Sequence, residues 1–392
     1  MWRLIDRMNV SRIGSKIKQS EARHLYDLSK KYNDVIDLTL GDPDVPTPKN
    51  ICDAGIKAIN QGKTKYTANA GLFQLRDAIS DDICERGGYC YRADDQIIVT
   101  TGAMGALYLL IKSVVNEGDE VIIPTPAWVN YSQMVMMSGG KAVMVPTDSE
   151  FNISLYEIER YITDRSRAII INTPCNPTGR IIESEIIKSL INLCEKNDMI
   201  LIADEAYRGI VFENCEFESV ANLADGSSNV FLVDSFSKRF SMTGWRVGYA
   251  VGDDRVIAAM TRLQENVNAC CSEPSQYAAI EALRGGDNIV RKLVETYRIR
   301  KNLLIKNLKY VKGISWIEPQ GTFYVFVNIS QTGLTSADFA YKLLKEQHVA
   351  VVPGITYGEN GEGYIRVALT RDESDILEAT DRLRQFMENM GV

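Results

Sequence analysis

Two histidines, His24 and His348, are all that 392 residues carry, and they stand far apart. None of the eight cysteines, at 52, 84, 90, 175, 194, 215, 270 and 271, forms a CxxC pair. A zinc centre needs clustered thiolate and imidazole ligands, so no metal site is expected. Free thiols packed in apolar surroundings are the expectation for the cysteines. No apolar run approaches the ~18 residues that cross a bilayer, which argues against a membrane partner. The opening stretch "MWRLIDRMNVSRIGSKIKQS" interleaves charge with apolar residues and has no signal-peptide core, so a cytoplasmic location is expected. Basic excess is missing too: 44 Lys and Arg face 51 Asp and Glu, a net charge of −7. Such a chain has no surplus to neutralise a phosphate backbone, so nucleic acid is not an expected partner. There is no GxGxxG, and "GKT" at Gly62 to Thr64 lacks the glycine five residues earlier that a P-loop needs. Nicotinamide and P-loop nucleotide chemistry both lose support. No internal repeat, low-complexity tract or appended DNA-binding module is present.

What is present is ordinary globular composition, 45% hydrophobic and 24% charged, at a length that predicts two lobes. Apolar runs of strand length alternate with helical patterns. "QIIVTTGAMGALYLLIKSVV" reads as strand, glycine turn and helix, and "DEVIIPTP", "KAVMVPT", "RAIIINTPCNPTG", "MILIADEAY" and "NVFLVDSFSK" are further short strands. "IIESEIIKSLINLCEKND", between two of them, has helical period. This alternation predicts an α/β fold with a mostly parallel sheet covered by helices, and runs apolar on both faces fit a buried sheet. A long helical pattern starts near Glu273, with the Gly285–Gly286 pair as its predicted break. Beyond it the texture changes to a smaller α+β lobe: "GISWIEPQGTFYVFVNI", the helix-like "SADFAYKLLKEQHVAVVPG", "GYIRVAL" and a closing helix.

In open α/β sheets ligands bind outside the carboxyl ends of the strands. The residues just past each apolar run are therefore the candidates. They are Gly102, Ala103 and Met104 at a helix start, Trp128, Asn176, Asp204 with Tyr207, and Ser235, Ser237 and Lys238, with Arg246 before the next run. Backbone N–H groups at a helix N-terminus, two serines and an arginine make a phosphate cup. Trp128 can cover a flat ring, Asp204 can keep a ring nitrogen protonated, and Lys238 can form an imine. Phosphate, ring, pyridine nitrogen and aldehyde are the parts of pyridoxal phosphate. The serines crowd the lysine because the phosphate sits beside the imine.

"SFSKRFSMTGWRVGY", from Ser235 to Tyr249, resembles the cofactor-lysine signature of the class I/II aminotransferases, the aspartate aminotransferase family of fold type I. The likeness continues in order along the chain through "LTLGDPDVPTP", "KYTANAGLFQLRDAI", "TTGAMGAL", "PTPAWVNY", "NTPCNPTG", "DEAY" and "YIRVALT". It implies a large domain with a mostly parallel seven-stranded sheet and a smaller α+β domain. Residues 1–45 would form an N-terminal arm and small-domain segment, 46–285 the large cofactor domain, and 286–392 the small domain. It implies an enzyme that exchanges an α-amino group between an amino acid and a 2-oxo acid. Lys238 would hold the internal aldimine and shuttle the proton. Asp204 would pair with the ring nitrogen, making the ring an electron sink. Tyr207 and Asn176 would bond the phenolic oxygen. Ala103, Met104, Ser235, Ser237 and Arg246 would surround the phosphate, Met104 through its backbone alone. Trp128 would stack on the ring. Arg366 would bind the substrate α-carboxylate with Asn176 assisting, near Gly41. Tyr66 would reach the cofactor phosphate of a second subunit, which implies a homodimer.

Departures from the family pattern leave the donor open. Tyr131 stands where the best-known aspartate enzymes carry histidine, and Met104 stands where another branch has a lysine that reads a distal carboxylate. "VNACCSEPSQ" supplies no arginine for a second carboxylate. Acidic, aromatic and apolar donors, or a broad specificity, all stay open. Met134, Met136 and Met137 read as core packing, and Asp42 and Asp44 as solvated turn carboxylates. The same scaffold hosts β-elimination enzymes, C–S lyases, which are the alternative activity. A non-catalytic regulator would need an added N-terminal DNA-binding domain, for which the chain leaves no room before Gly41.

Overall fold

The computed structural model describes residues 10–17, 19, 21–285 and 287–391. Seven strands form its main sheet: β1 (Ile97–Thr100), β2 (Glu120–Thr125), β3 (Lys141–Pro146), β4 (Ser166–Asn172), β5 (Ile200–Asp204), β6 (Val230–Ser235) and β7 (Gly248–Val251). Their order is β1-β7-β6-β5-β4-β2-β3. The pairings are parallel except for β7, which runs antiparallel to both β1 and β6. The central strands are buried along their whole length, which explains why their sequences are apolar without alternation. On one face Leu201, Ala203, Leu232 and Val251 meet helix residues such as Leu190 and Ala279. On the other, Ile170, Ile202, Phe231 and Val233 meet Leu107, Leu110 and Met260.

Register aligns the strand ends. Asn172 lies opposite Asp204, Asp204 opposite Val233, and Ser235 and Thr100 both lie opposite Gly248. One edge of the sheet thus collects the residues that follow four different runs. Three helices matter for that edge: α1 (Glu21–Ser29), α2 (Phe73–Glu85) and α3 (Gly102–Val114).

A second core gathers Leu25, Ile36 and Leu38 from the N-terminal segment with Leu293, Tyr297, Phe323, Phe339 and Phe386 from the C-terminal part. Its four antiparallel strands run in the order Val352–Pro353, Tyr364–Ala368, Tyr324–Asn328, Ser315–Trp316. Ile36–Asp37 pairs in parallel with Val349–Ala350 and so ties the N-terminal segment to this core. No helix among the described residues is long and apolar enough to cross a membrane.

Three expectations need correction. The helix-like stretch after Ser336 ends at Gln347: His348 turns left-handed at φ 54°, and strands Val349–Ala350 and Val352–Pro353 follow. Val349, Val351 and Val352 are β-branched and favour the strand. The cysteines are not all free, because Cys84 and Cys90 form a disulfide with Cα atoms 4.8 Å apart. The end of α2 and a left-handed Gly87 (φ 87°) reverse the chain between them. Of the remaining six, only Cys194 and Cys271 are buried. Asp44 is not simply solvated; both its carboxylate oxygens accept from Arg300 at 2.8 Å. The predicted break at Gly285–Gly286 falls between helices Glu273–Gly285 and Asp287–Leu308, and Gly286 itself lies outside the described residues.

Candidate active site

Asp204 is the last residue of β5, and its place is fixed from both sides. Its carbonyl accepts from Asn172 Nδ2 (2.9 Å), and its carboxylate accepts from the Tyr131 hydroxyl (2.7 Å) and the Ala206 N–H (3.0 Å). Burial pushes this carboxyl up to about 6, with the two donors opposing the rise. Among the described residues no cation pairs with it. A buried carboxylate left with neutral donors only is a costly arrangement unless a positive group arrives.

β6 runs directly into the short helix Phe236–Arg239. Ser235 caps it: its Oγ accepts from the Ser237 N–H (3.1 Å) and lies 2.8 Å from the Ser237 hydroxyl. The helix projects Lys238, whose Nζ donates to the Gly41 carbonyl. Burial lowers the lysine to about 8; Asp42 opposes that shift, and Arg366 and Arg246 add to it. The lowered value raises the fraction of neutral amine, the nucleophilic form.

At the start of α3 the backbone leaves no room for side chains. Gly102 has φ +72°, and a Cβ there would fall 2.7 Å from Arg246 Nη2. A Cβ on Gly248 would fall 2.5 Å from the Ala103 nitrogen. Arg246 is held by Nη1 donating to the Thr243 carbonyl (2.8 Å). The N-terminus of α3, Arg246 and the two serines therefore face one end of the cavity, a donor set suited to an anion.

Arg366 sits on the middle of its small-domain strand, opposite Phe326 and Val352, and is buried. Nη1 donates to Asn176 Oδ1 (2.8 Å), Nη2 to the Thr39 carbonyl, and the buried Nε has no partner. Its Cζ lies 4.1 Å from the Tyr324 ring centroid. The Tyr324 hydroxyl is 3.0 Å from that of Tyr207. Trp128 stands edge-on to Tyr131, with centroids 5.4 Å apart at 84°.

Gly41, Ala103, Met104, Trp128, Asn176, Asp204, Tyr207, Ser235, Ser237, Lys238 and Arg246 all line one cavity of about 600 Å³. Arg366 lines a cavity of about 260 Å³ that shares Gly41, Trp128, Asn176, Tyr207 and Lys238 with it. Tyr66 joins neither; it is 87% exposed.

A sequence model of the family described as Aminotransferase class I and II matches residues 33–383. The chain is a class I and II aminotransferase. The aminotransferase is 35% identical to the aspartate aminotransferase of Pyrococcus abyssi, over 95% of this chain and 96% of that one. It is 34% identical to aromatic-amino-acid aminotransferase 2 of Thermococcus litoralis over the same shares. Its structure superposes on the aspartate aminotransferase of Thermus thermophilus with maleate at a TM-score of 0.91 and 32% identity, covering 96% and 99% of the two chains. The fold is that of fold type I aminotransferases, and the enzyme transaminates: its substrates are amino acids and 2-oxo acids.

Several residues of the aminotransferase's site were not assigned from sequence. Tyr131 stood out only as a substitution, yet it donates to Asp204. Asn172 ends β4 just as Asp204 ends β5, a strand-end signal that was readable. Thr39, Tyr324 and Tyr357 reach Arg366 through tertiary packing, and no local pattern marks them. Arg23 of α1 lines both cavities and carried no motif at all. Among the described residues no group of three or more His, Cys, Asp or Glu gathers as a metal set.

Proposed function

We propose that this aminotransferase works with pyridoxal phosphate, which Lys238 would hold by its aldehyde. The observation that carries the reading is Asp204: a buried carboxylate which, among the described residues, has no cationic partner, in a cavity where Lys238 is the lysine those residues supply. Its need for a positive group is met by a protonated ring nitrogen, and the α3 N-terminus with Arg246, Ser235 and Ser237 suits the phosphate. Trp128 would lie on the ring, and Tyr207 and Asn176 would donate to the phenolic oxygen. When bound, the cofactor supplies an electron sink for charge developing at the substrate Cα.

The chain's own residues do the rest. Arg366 receives the α-carboxylate, for which Asn176 Oδ1 and the Thr39 carbonyl hold the guanidinium still. Lys238 Nζ then takes the Cα proton, and its lowered basicity, about 8, keeps it deprotonated enough to do so. Asp204, fixed by Tyr131, would pair with the ring nitrogen and keep it protonated. Tyr66 would complete a second subunit's site in a homodimer, supported by its 87% exposure. The division at residues 45 and 285 fits two separate cores with the site between them.

The test is an absorbance spectrum of the purified holoenzyme before and after single amino acids, then after a 2-oxo acid. A band that shifts with the donor and returns with the oxo acid is the expected result. Pyruvate and ammonia without that return would instead favour β-elimination.

A further inference from the structure

Tyr324 opens the small-domain strand Tyr324–Asn328, lies opposite Ala368 and is 2% exposed. Side chains two apart on a strand share a face. Arg366 lies opposite Phe326, so Tyr324 is its diagonal neighbour on that face. The guanidinium therefore sits on the Tyr324 ring, as the 4.1 Å from Cζ to the centroid shows. The same ring meets Tyr207 edge-on, with centroids 5.7 Å apart at 68°. Its hydroxyl reaches further. It lies 3.0 Å from the Tyr207 hydroxyl, and a Cβ on Gly41 would run into it. The Gly41 carbonyl in turn accepts from Lys238 Nζ. Gly41, Tyr207, Lys238, Tyr324 and Arg366 all line the cavity of about 260 Å³.

A phenol has one proton to give and lone pairs to receive with. When Tyr207 gives its proton to the phenolic oxygen of the cofactor, Tyr324 must be the donor in the 3.0 Å bond between the two hydroxyls. Burial raises both hydroxyls above the ordinary tyrosine value, with Arg366 opposing the rise, so both keep their protons. The charge of Asp204 on Tyr207, and of Asp42 on Tyr324, adds to the rise. Hydroxyls bonded in series polarise one another, so the second strengthens the first. The second bond also stops the Tyr207 O–H from turning away.

We propose that Tyr324 is a positioning residue for the reaction: its hydroxyl donates to Tyr207 and strengthens the hydrogen bond that Tyr207 gives the phenolic oxygen, while its ring supports Arg366. The inference rests on the reading that pyridoxal phosphate is held by Lys238 with Tyr207 at the phenolic oxygen. Its consequence is electrostatic. Negative charge held on that oxygen by donors does less to keep a proton on the neighbouring imine nitrogen. Tyr324 therefore makes that nitrogen less basic than Tyr207 alone would.

The test titrates the absorbance band of the bound cofactor with pH, in holoenzyme of the wild type, Tyr324→Phe, Tyr207→Phe and the double variant. Tyr324→Phe is expected to raise the midpoint by about 0.4 to 1 pH unit, the size of one neutral hydrogen bond. Tyr207→Phe raises it further, and in that background Tyr324→Phe adds less than about 0.2 unit, because the bond it supports is gone. KM for an amino donor reads the ring: Tyr324→Phe changes it less than about threefold, and Tyr324→Leu raises it about 3- to 30-fold. A midpoint that stays or falls in Tyr324→Phe, or that rises equally with and without the Tyr207 hydroxyl, overturns the proposal and leaves the cofactor reading standing. A KM raised equally by phenylalanine and leucine at this position overturns the part given to the ring. A wild type with no band after incubation with pyridoxal phosphate overturns the cofactor reading and the proposal with it.

Discussion

Two groups of charged residues built around buried arginine follow opposite principles: one around Asp82, the other around Arg366. Asp82 of α2 receives both Nη atoms of Arg239 at 2.9 Å, Arg208 at 2.7 Å and Arg86 at 3.0 Å, and Asp234 lies 2.7 Å from Arg208. Each of these arginines has a carboxylate partner within the group. Arg366 has an amide, a carbonyl and two tyrosine rings for neighbours, and among the described residues no carboxylate partner. The first cluster is complete in the free protein and is structural. The second is complete only when an anion arrives. Burial alone does not distinguish them, since Arg239 and Arg366 are each 5% exposed. The identity of the partner does.

The sharpest way to break the contrast is to remove the one lysine in the site. Lys238→Ala is expected to lower transamination on the order of a thousandfold or more, with the fold unchanged by circular dichroism. Equal activity would show that the nucleophile lies elsewhere. Asp204→Asn keeps the shape and the Tyr131 contact but removes the charge. A loss of about 100- to 1,000-fold in kcat is expected, against a small change in KM.

Next come the two arginine clusters themselves. Arg366→Ala is expected to raise KM for amino donors about 10- to 100-fold, because a hydrogen bond to a charged group contributes about 1.5–3 kcal/mol. Melting temperature should barely move, since the change also removes an unpartnered Nε. Asp82→Ala should do the reverse. It removes the carboxylate that Arg86, Arg208 and Arg239 share and costs about 3–5 kcal/mol of stability, with KM little altered. If Asp82→Ala raised KM while Arg366→Ala unfolded the protein, the division would be wrong. The partners hold the Asp82 carboxyl well below the usual carboxylate range. Its contribution is therefore present above the unfolded value, about 3.9, and is lost as pH falls below it. Asp82→Asn should flatten that part of the acid-unfolding curve.

The smallest effect concerns pH. Lys238 titrates near 8, below the ordinary lysine, because burial disfavours its charged form. The neutral amine captures an aldehyde, so the rate at which apoenzyme takes up pyridoxal phosphate should climb through about pH 8. Asp42 raises the lysine toward its usual value; Asp42→Asn should shift that climb to lower pH.

How much of this was legible in the sequence depends on where the signal lives. Strand-end residues were readable because an all-buried run followed by a polar residue marks both the strand and the site edge, as with Asp204 after "ILIA" and Lys238 after "FLVDSFS". Lys238 was informative through its spacing to Arg246, which the turn at Thr243–Trp245 converts into proximity to α3. The strands at Val349–Ala350 and Val352–Pro353 were hidden because a helical period runs straight into them and His348 gives no conventional stop. Tyr131 was seen as a departure and not as a donor, since only the distance between β5 and the segment after β2 reveals its hydroxyl. Arg23 was invisible for the same reason. Its helix meets the site only because Leu25 and Ala22 find partners more than 120 residues away. The Cys84–Cys90 bridge depended on the reversal at Gly87, which spacing alone does not fix.

Lys238 is the residue on which the chemistry of the site turns. Holoenzyme would be reduced with borohydride, digested, and the pyridoxyl mass mapped by tandem mass spectrometry. The predicted result is a single modified peptide carrying the label on Lys238 and none in Lys238→Ala. A label on any other lysine, or no label after incubation with pyridoxal phosphate, would contradict it.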